Sequence, residues 1–217
     1  MHPHPTHEVE RPAPVLAMKG ISKAFGHVQA LDNVNFELYP DEILALVGDN
    51  GAGKSTLIKI LTGVYTADKG SILMDGEPVS IRSPRDAQAL GISAVYQDLA
   101  LVDCRDIASN IYLGREPTNG FIVNKKKMVS DAEGVLKQLK TSLSSATTVV
   151  GYLSGGQRQA VAIARALARE GRLIIMDEPT AALGVEEAQK VNNLILDLKA
   201  RGSSIIVISH NLVHVFS

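Results

Sequence analysis

Gly48, Asp49, Asn50, Gly51, Ala52, Gly53, Lys54 and Ser55, with Thr56 behind them, fit the spacing G-x-x-x-x-G-K-[ST]. That spacing suits one chemistry, the holding of a nucleoside triphosphate. Glycines allow positive φ and close backbone approach, so successive amide hydrogens can point at phosphate oxygens. A helix opening at Lys54 would direct its positive end at the same anion. Lys54 is then the mobile cation for the β- and γ-phosphates, and Ser55 a hydroxyl ligand for Mg2+. The loop follows an apolar run and opens a helical pattern, which is the setting that separates it from a chance glycine-rich turn.

A second constellation lies downstream. Residues 172–176 are an arginine and four apolar residues, and Asp177 and Glu178 close the run. Strand ends in parallel α/β sheets line the ligand crevice. Asp177 is thus placed to help hold Mg2+, and Glu178 to accept a proton from an attacking water. A third constellation, Ser154, Gly155, Gly156 and Gln157, precedes a helical stretch with Val161, Ile163, Ala164 and Leu167 on its apolar side. Arg158, Arg165 and Arg169 are expected along the outer stripe of that helix. Serine and glycine at a helix start make another anion site by the same dipole argument. One nucleotide rarely needs two helix starts so far apart in one chain, so the second site is expected to serve a nucleotide held by another copy.

The elements that must position these residues read as alternating strands and helices. Val34, Phe36 and Leu38 alternate with polar neighbours, as in a half-buried strand. Residues 43–47 form a continuous apolar run, expected to be a strand buried on both faces. Residues 71–74, 92–96, 173–176 and 204–208 are further strands, and 54–61 a helix. Asn124 caps a helix whose apolar face carries Met128, Ala132, Val135, Leu136 and Leu139. Val191, Leu194, Ile195 and Leu198 make another apolar stripe, ended near Gly202. The pattern implies an α/β fold with a largely parallel core. Residues 98–148 hold no clear buried strand and read as mostly helical. Residues 1–14, rich in His and Pro, read as a flexible leader.

Composition narrows the function classes. At 217 residues the chain suits one domain, with 45% hydrophobic and 21% charged residues. A formal net charge of −1 gives no overall basic field for nucleic acid, and the absence of Trp argues against a base-stacking surface. Cys104 is the single cysteine, so no internal disulfide forms; it is read as a small buried or half-buried residue in a reducing compartment. No apolar stretch reaches the roughly 18 residues of a membrane span, and no signal peptide is visible. The expectation is a soluble, cytoplasmic protein.

With Leu153 included, the third constellation reads Leu-Ser-Gly-Gly-Gln between the two phosphate-site motifs. On these residues the chain resembles the nucleotide-binding domain of ABC transporters from residue 15 to the end. The resemblance implies an ABC-type P-loop NTPase with a RecA-like parallel core, an N-terminal antiparallel β subdomain and a helical subdomain at about 98–165. It implies a single ATPase domain over 15–217, stopping short of the family's usual end. ATP with Mg2+ would be clamped in a head-to-tail homodimer, or with a paired ABC domain, between one copy's 48–56 loop and the other's Ser154–Gln157. By position, Gln97 matches the Q-loop residue that contacts Mg2+ and senses the permease. His210 matches the switch histidine at the γ-phosphate, Phe25 the aromatic that stacks on adenine, and Glu178 the catalytic base.

Ala181-Ala182-Leu183-Gly184 stands where the family often has Ser-Ala-Leu-Asp, a variant similar to the monosaccharide-importer branch. The implied function is the energy-coupling ATPase of a ribose-, xylose- or fructose-type importer. It would sit peripherally on the inner face of the cell membrane, touching a permease directly and a sugar-binding protein indirectly. The alternative is a soluble ABC ATPase acting on DNA or ribosomes, although its usual coiled-coil, zinc or second-cassette additions are missing. A GTP switch lacks its Asn-Lys-x-Asp motif.

Overall fold

Burial is nearly continuous along the central strands, so one sheet is covered on both faces, and the elements follow from that. A computed structural model describes residues 12–49, 51–139, 143, 145–169 and 171–209. Asn50 and His210 lie outside the described residues, as does most of the expected leader. In chain order the elements are β1 (Leu16–Phe25), β2 (Val28–Leu38), β3 (Ile43–Val47), α1 (Lys54–Leu61), β4 (Lys69–Met74), β5 (Glu77–Val79), α2 (Pro84–Ala89) and β6 (Ile92–Val95). There follow α3 (Ile107–Ile111), β7 (Thr118–Asn119), β8 (Ile122–Val123), α4 (Lys125–Gln138), a 3-10 turn (Val150–Tyr152), α5 (Gly155–Leu167), β9 (Leu173–Asp177), α6 (Val185–Lys199) and β10 (Ser204–Ser209).

Strands β3, β10, β9 and β6 form an all-parallel sheet in that order. On β9, Leu173 and Ile175 face one core while Ile174 and Met176 face another. Strand β10 divides likewise, with Ile206 and Ile208 on the first side and Ile205 on the second. This is the two-residue strand period filling both faces of one sheet. The first core also takes Leu57, Ile58, Ile60 and Leu61 of α1, and Leu16, Met18 and Ile21 of β1. Strands β2, β1, β4 and β5 make the antiparallel sheet that packs there. Residues 43–47 depart from the expectation of burial on both faces. Among the described residues β3 pairs only with β10, its first four residues are half-buried and Val47 is exposed. A continuous apolar run cannot tell a central strand from one at a sheet margin.

The second core joins α3, α4, α5 and α6 to the other face of the sheet. Helix α4 is capped by Asn124, whose side chain accepts from the Lys127 amide, and it buries Met128, Ala132 and Leu136. Arg158 and Arg165 lie on the less buried side of α5, as expected of its outer stripe, and from there both reach sideways to a loop. Arg158 pairs with Asp103 at 2.6 Å, and Arg165 donates to the Leu99 and Ala100 carbonyls at 2.5 and 2.9 Å. Burial, and then the neighbouring Arg169 charge, hold the Arg165 guanidinium below its usual pKa. Cys104 in the same loop is exposed, contrary to its expected burial. A short apolar residue in a surface loop carries no sequence signal of its exposure.

Asn110 of α3 closes the loop from behind. Fully buried, it accepts from the Val102 amide at 2.7 Å and donates to the Val102 and Asp106 carbonyls at 3.1 and 3.0 Å. Asn110→Ala leaves the Val102 amide without its partner, while the Val102 and Asp106 carbonyls still accept from the backbone amides of residues 105 and 110, so the cost is about 1–3 kcal/mol for that one shielded amide. The expected outcome is a lower urea midpoint. Asn110→Asp, which keeps the acceptor and loses the amide donor, should also destabilise; an unchanged midpoint in both variants would show that the clip is dispensable.

Candidate functional site

The parallel register decides where the site lies. Val47 of β3 pairs with Ser209 of β10, Ile208 with Asp177 of β9, and Met176 with Val95 of β6. All four strands therefore end on one edge of the sheet. The 48–56 loop, the acids and Gln97 leave from that edge, where α/β sheets bind ligands. A cleft of about 670 Å3 opens there, lined by Asp49, Gly51–Thr56, Gln97, Asp177 and Glu178, together with Val28, Gln29, Ala30 and Ile208.

The loop's shape follows from its glycines. Gly53 sits at φ 87, and a Cβ there would lie 2.6 Å from the Ala30 carbonyl oxygen and 2.7 Å from Leu31 Cδ2. Any other residue at that position is both strained and obstructed. Gly53 is also the N-cap of α1 and carries no side chain to cap it. The first intrahelical bond runs from the Leu57 amide to the Gly53 carbonyl at 2.9 Å. The amides of Lys54, Ser55 and Thr56 thus have no intrahelical acceptor, and they face the cleft at the positive end of a helix with no acid in its first turn. Lys54 Nζ donates to the Gly48 carbonyl and, at 2.8 Å, to the Asp49 carbonyl. These oxygens hold the ammonium where phosphate oxygens would compete for it.

Across the cleft the Asp177 carboxyl is pushed above its usual pKa, first by burial and then by the Glu178 charge, with Lys54 and Lys59 opposing. A hydroxyl, a carboxylate and a side-chain amide oxygen from Ser55, Asp177 and Gln97 are the hard donors that suit Mg2+, and a dication would relieve the repulsion at Asp177. The donor set fits the ion. Glu178 stands at φ 51, a left-handed conformation that is uncommon outside glycine, and its amide is held by the Ile208 carbonyl at 3.0 Å. Such strain persists only where the surroundings impose it.

Ser154 and Gln157 lie elsewhere. They form a capping box on α5, with the Ser154 amide donating to Gln157 Oε1 at 3.0 Å and the Gln157 amide donating to Ser154 Oγ. The boxed pair leaves the Gly155 and Gly156 amides as the unpaired donors of that helix start. Here the glycines also have a packing role. A Cβ on Gly155 would meet Leu183 at 2.9 Å, and one on Gly156 would meet Glu187 at 3.2 Å. Ser154, Gly156 and Gln157 line a separate cavity against α6, and none of them lines the 48–56 cleft. Phe25 is also outside the cleft lining: it is 42% exposed, with its ring edge-on to Tyr65 at 5.0 Å. Sequence reasoning missed Val28, Gln29 and Ala30, which reach the cleft because β2 starts beside Gly53. Their only sequence signal was the turn that must separate β1 from β2.

A family profile described as ABC transporter matches residues 31–181. The chain is 48% identical to the fructose import ATP-binding protein of Rhizobium meliloti, covering 94% of this chain and 81% of that protein. It is 47% identical to the xylose/arabinose import ATP-binding protein of Sulfolobus acidocaldarius, covering 92% and 79%. Among solved structures, a nucleotide-free ATP-binding cassette from an ABC transporter superposes with a TM-score of 0.84 at 30% identity, over 94% of this chain and 84% of that one.

The raised pKa of Asp177 sets a pH test. Its ionised form costs stability above the raised value. That cost shrinks as pH falls through it, and vanishes once the carboxyl is protonated in the unfolded chain too. Asp177→Asn should therefore raise the thermal midpoint at neutral pH in EDTA, with a gain that fades as pH falls from the raised value to the ordinary carboxylate range and is gone below it. A gain independent of pH would mean that charge is not its origin.

Proposed function

The chain belongs to the ABC transporter family, and from that membership we propose that it is the ATP-hydrolysing subunit that powers import of a monosaccharide through a membrane permease. One observation carries the catalytic part of the reading. Three free amides, a lysine, a hydroxyl, two acids and a glutamine converge on one cleft at the ends of four parallel strands. The sugar part is supported by relatives that import fructose and xylose or arabinose, and by Ala181-Ala182-Leu183-Gly184.

In this reading the ATPase domain spans 15–217, with 98–165 as its helical subdomain. ATP enters with its phosphates on Gly48, Asp49, Asn50, Gly51, Ala52, Gly53, Lys54, Ser55 and Thr56. Val28, which pairs with Phe25 across the β1–β2 turn, offers an apolar edge to the adenine. Lys54 exchanges the Gly48 and Asp49 carbonyls for the β- and γ-phosphates. Ser55, Asp177 and Gln97 would hold Mg2+, which would supply positive charge to the phosphates. Glu178 takes a proton from water as its oxygen bonds to the γ-phosphorus and the bond to the β,γ-bridging oxygen breaks, giving ADP and phosphate. His210 contacts the γ-phosphate.

The separation of the two cavities supports a second copy in the reaction. Ser154, Gly156 and Gln157 line a cavity other than the cleft that holds Lys54, which favours their serving a nucleotide bound by another chain. A head-to-tail homodimer, or a paired ABC domain, brings them to the γ-phosphate of the opposite chain. Closure of that sandwich drives the permease, while a sugar-binding protein delivers cargo outside. The chain then works at the cytoplasmic face of the membrane. Among the described residues no helix is long and apolar enough to cross a membrane.

Two experiments test this. Glu178→Gln should let ATP persist, so light scattering with ATP and Mg2+ should show twice the mass found without nucleotide. A chain that binds ATP yet stays monomeric would count against the trans arrangement. Reconstituted with its permease and binding protein, the wild type should hydrolyse ATP faster when the cognate pentose or hexose is present. A turnover indifferent to every such sugar would refute the import reading.

A further inference from the structure

Strands β7 and β8 form a hairpin that packs none of its apolar residues. Every residue from 118 to 123 is exposed, and Phe121 and Ile122 at the tip are 106% and 76% accessible. Asn119 pairs with Ile122, so Gly120 and Phe121 are the two turn residues. Gly120 takes a φ of 63 and Phe121 has no positive φ, the pattern of a II′ hairpin with Gly first. The turn is therefore well formed, and it presents a phenylalanine to solvent.

The hairpin is mounted firmly. The Asn124 amide donates to the Pro117 carbonyl at 2.7 Å, closing the hairpin base, and Asn124 Oδ1 caps α4 through the Lys127 amide at 3.0 Å. Tip and helix start are one unit. The first turn of α4 carries Lys125, Lys126 and Lys127, all exposed, and no acid. Cations at a helix N-terminus oppose the helix dipole, so this placement is locally unfavourable. Lys127 is partly relieved by Asp131 at 2.8 Å, whereas Lys125 and Lys126 make no ion pair among the described residues. An anion outside the chain would relieve them.

A protruding aromatic and aliphatic tip beside uncompensated lysines has the chemistry of an interfacial membrane contact. We propose that the 118–127 unit touches an anionic lipid surface, with Phe121 and Ile122 in the headgroup–acyl boundary and Lys125 and Lys126 against the lipid phosphates. A folded protein partner would need a matching pocket for a fully exposed phenylalanine, while a bilayer accepts it without one. The attraction is local, because the whole chain has a net charge of −1. The proposal is compatible with work at a membrane permease but needs neither ATP nor the permease, so it fails or stands independently of the transport reading.

The chain contains no tryptophan, so Phe121→Trp introduces a single fluorophore at the tip. With vesicles of phosphatidylcholine and phosphatidylglycerol in equal parts at low salt, its emission should shift to the blue. Pure phosphatidylcholine should give a much weaker shift, and so should high salt. In vesicle co-sedimentation of the full chain, K125Q/K126Q should weaken binding about 25-fold, taking about fivefold for each lysine near an anionic surface. F121S/I122S should weaken it about tenfold or more. All these sites are exposed, so no variant should melt below the wild type, and K125Q/K126Q should melt slightly above it. An emission that stays unshifted, or vesicle binding that both double variants leave intact, overturns the proposal. Loss of permease-stimulated ATP turnover in the tip variant without any loss of vesicle binding would overturn it too, and would mark the hairpin as a protein contact.

Discussion

The shared register of four parallel strands is the constraint on which the other features depend. Because β3, β10, β9 and β6 run the same way and end together, residues far apart in sequence leave the sheet at one edge. Strands lie about 4.8 Å apart, so β3 and β9, separated only by β10, end about 10 Å from each other. That span fits a triphosphate between a ring of amides and a pair of acids. No single residue sets this distance. It comes from the order of the strands, which is fixed by cores packed on both faces of the sheet.

The edge is also where local rules are broken. Gly53 leaves a helix start uncapped, Glu178 holds a left-handed backbone, and Asp177 keeps a carboxyl that burial and a neighbouring acid both penalise. Four other helices take side-chain caps from Ser83, Asp106, Asn124 and Ser154, whereas α6, like α1, starts at a glycine without one, Gly184. Of these two glycine starts only α6 has acids, Glu186 and Glu187, in its first turn, so the start of α1 alone is left without a negative charge. Each irregularity has the same sense: a charge or donor is left unmatched where a highly anionic ligand with its cation would match it.

Much of this was legible beforehand for physical reasons. The 54–61 helix, the Asn124 cap and the strand ending in Asp177 depend on nearest neighbours, and local pattern reports those faithfully. The turn into α1 was legible because the positive φ and the crowding at Gly53 admit no residue but glycine. What escaped depends on tertiary neighbours. Nothing near residues 43–47 shows that β3 pairs on one side, and nothing near Arg165 shows that its partners are carbonyls 65 and 66 residues earlier in the chain. The place of Val28, Gln29 and Ala30 in the cleft likewise needed the antiparallel sheet to be folded against α1.

The arginines of α5 have a mechanical meaning. The helix spans 13 residues, about 20 Å at 1.5 Å per residue. Arg158 in its first turn grips Asp103, and Arg165 two turns later grips Leu99 and Ala100. The loop behind Gln97 is thus splinted to the helix at two points, while Asn110 locks it to α3 from the other side. A splinted loop cannot absorb a push by bending. Force applied to it is delivered as torque on α5, and the Ser154–Gln157 turn lies at the end of that arm.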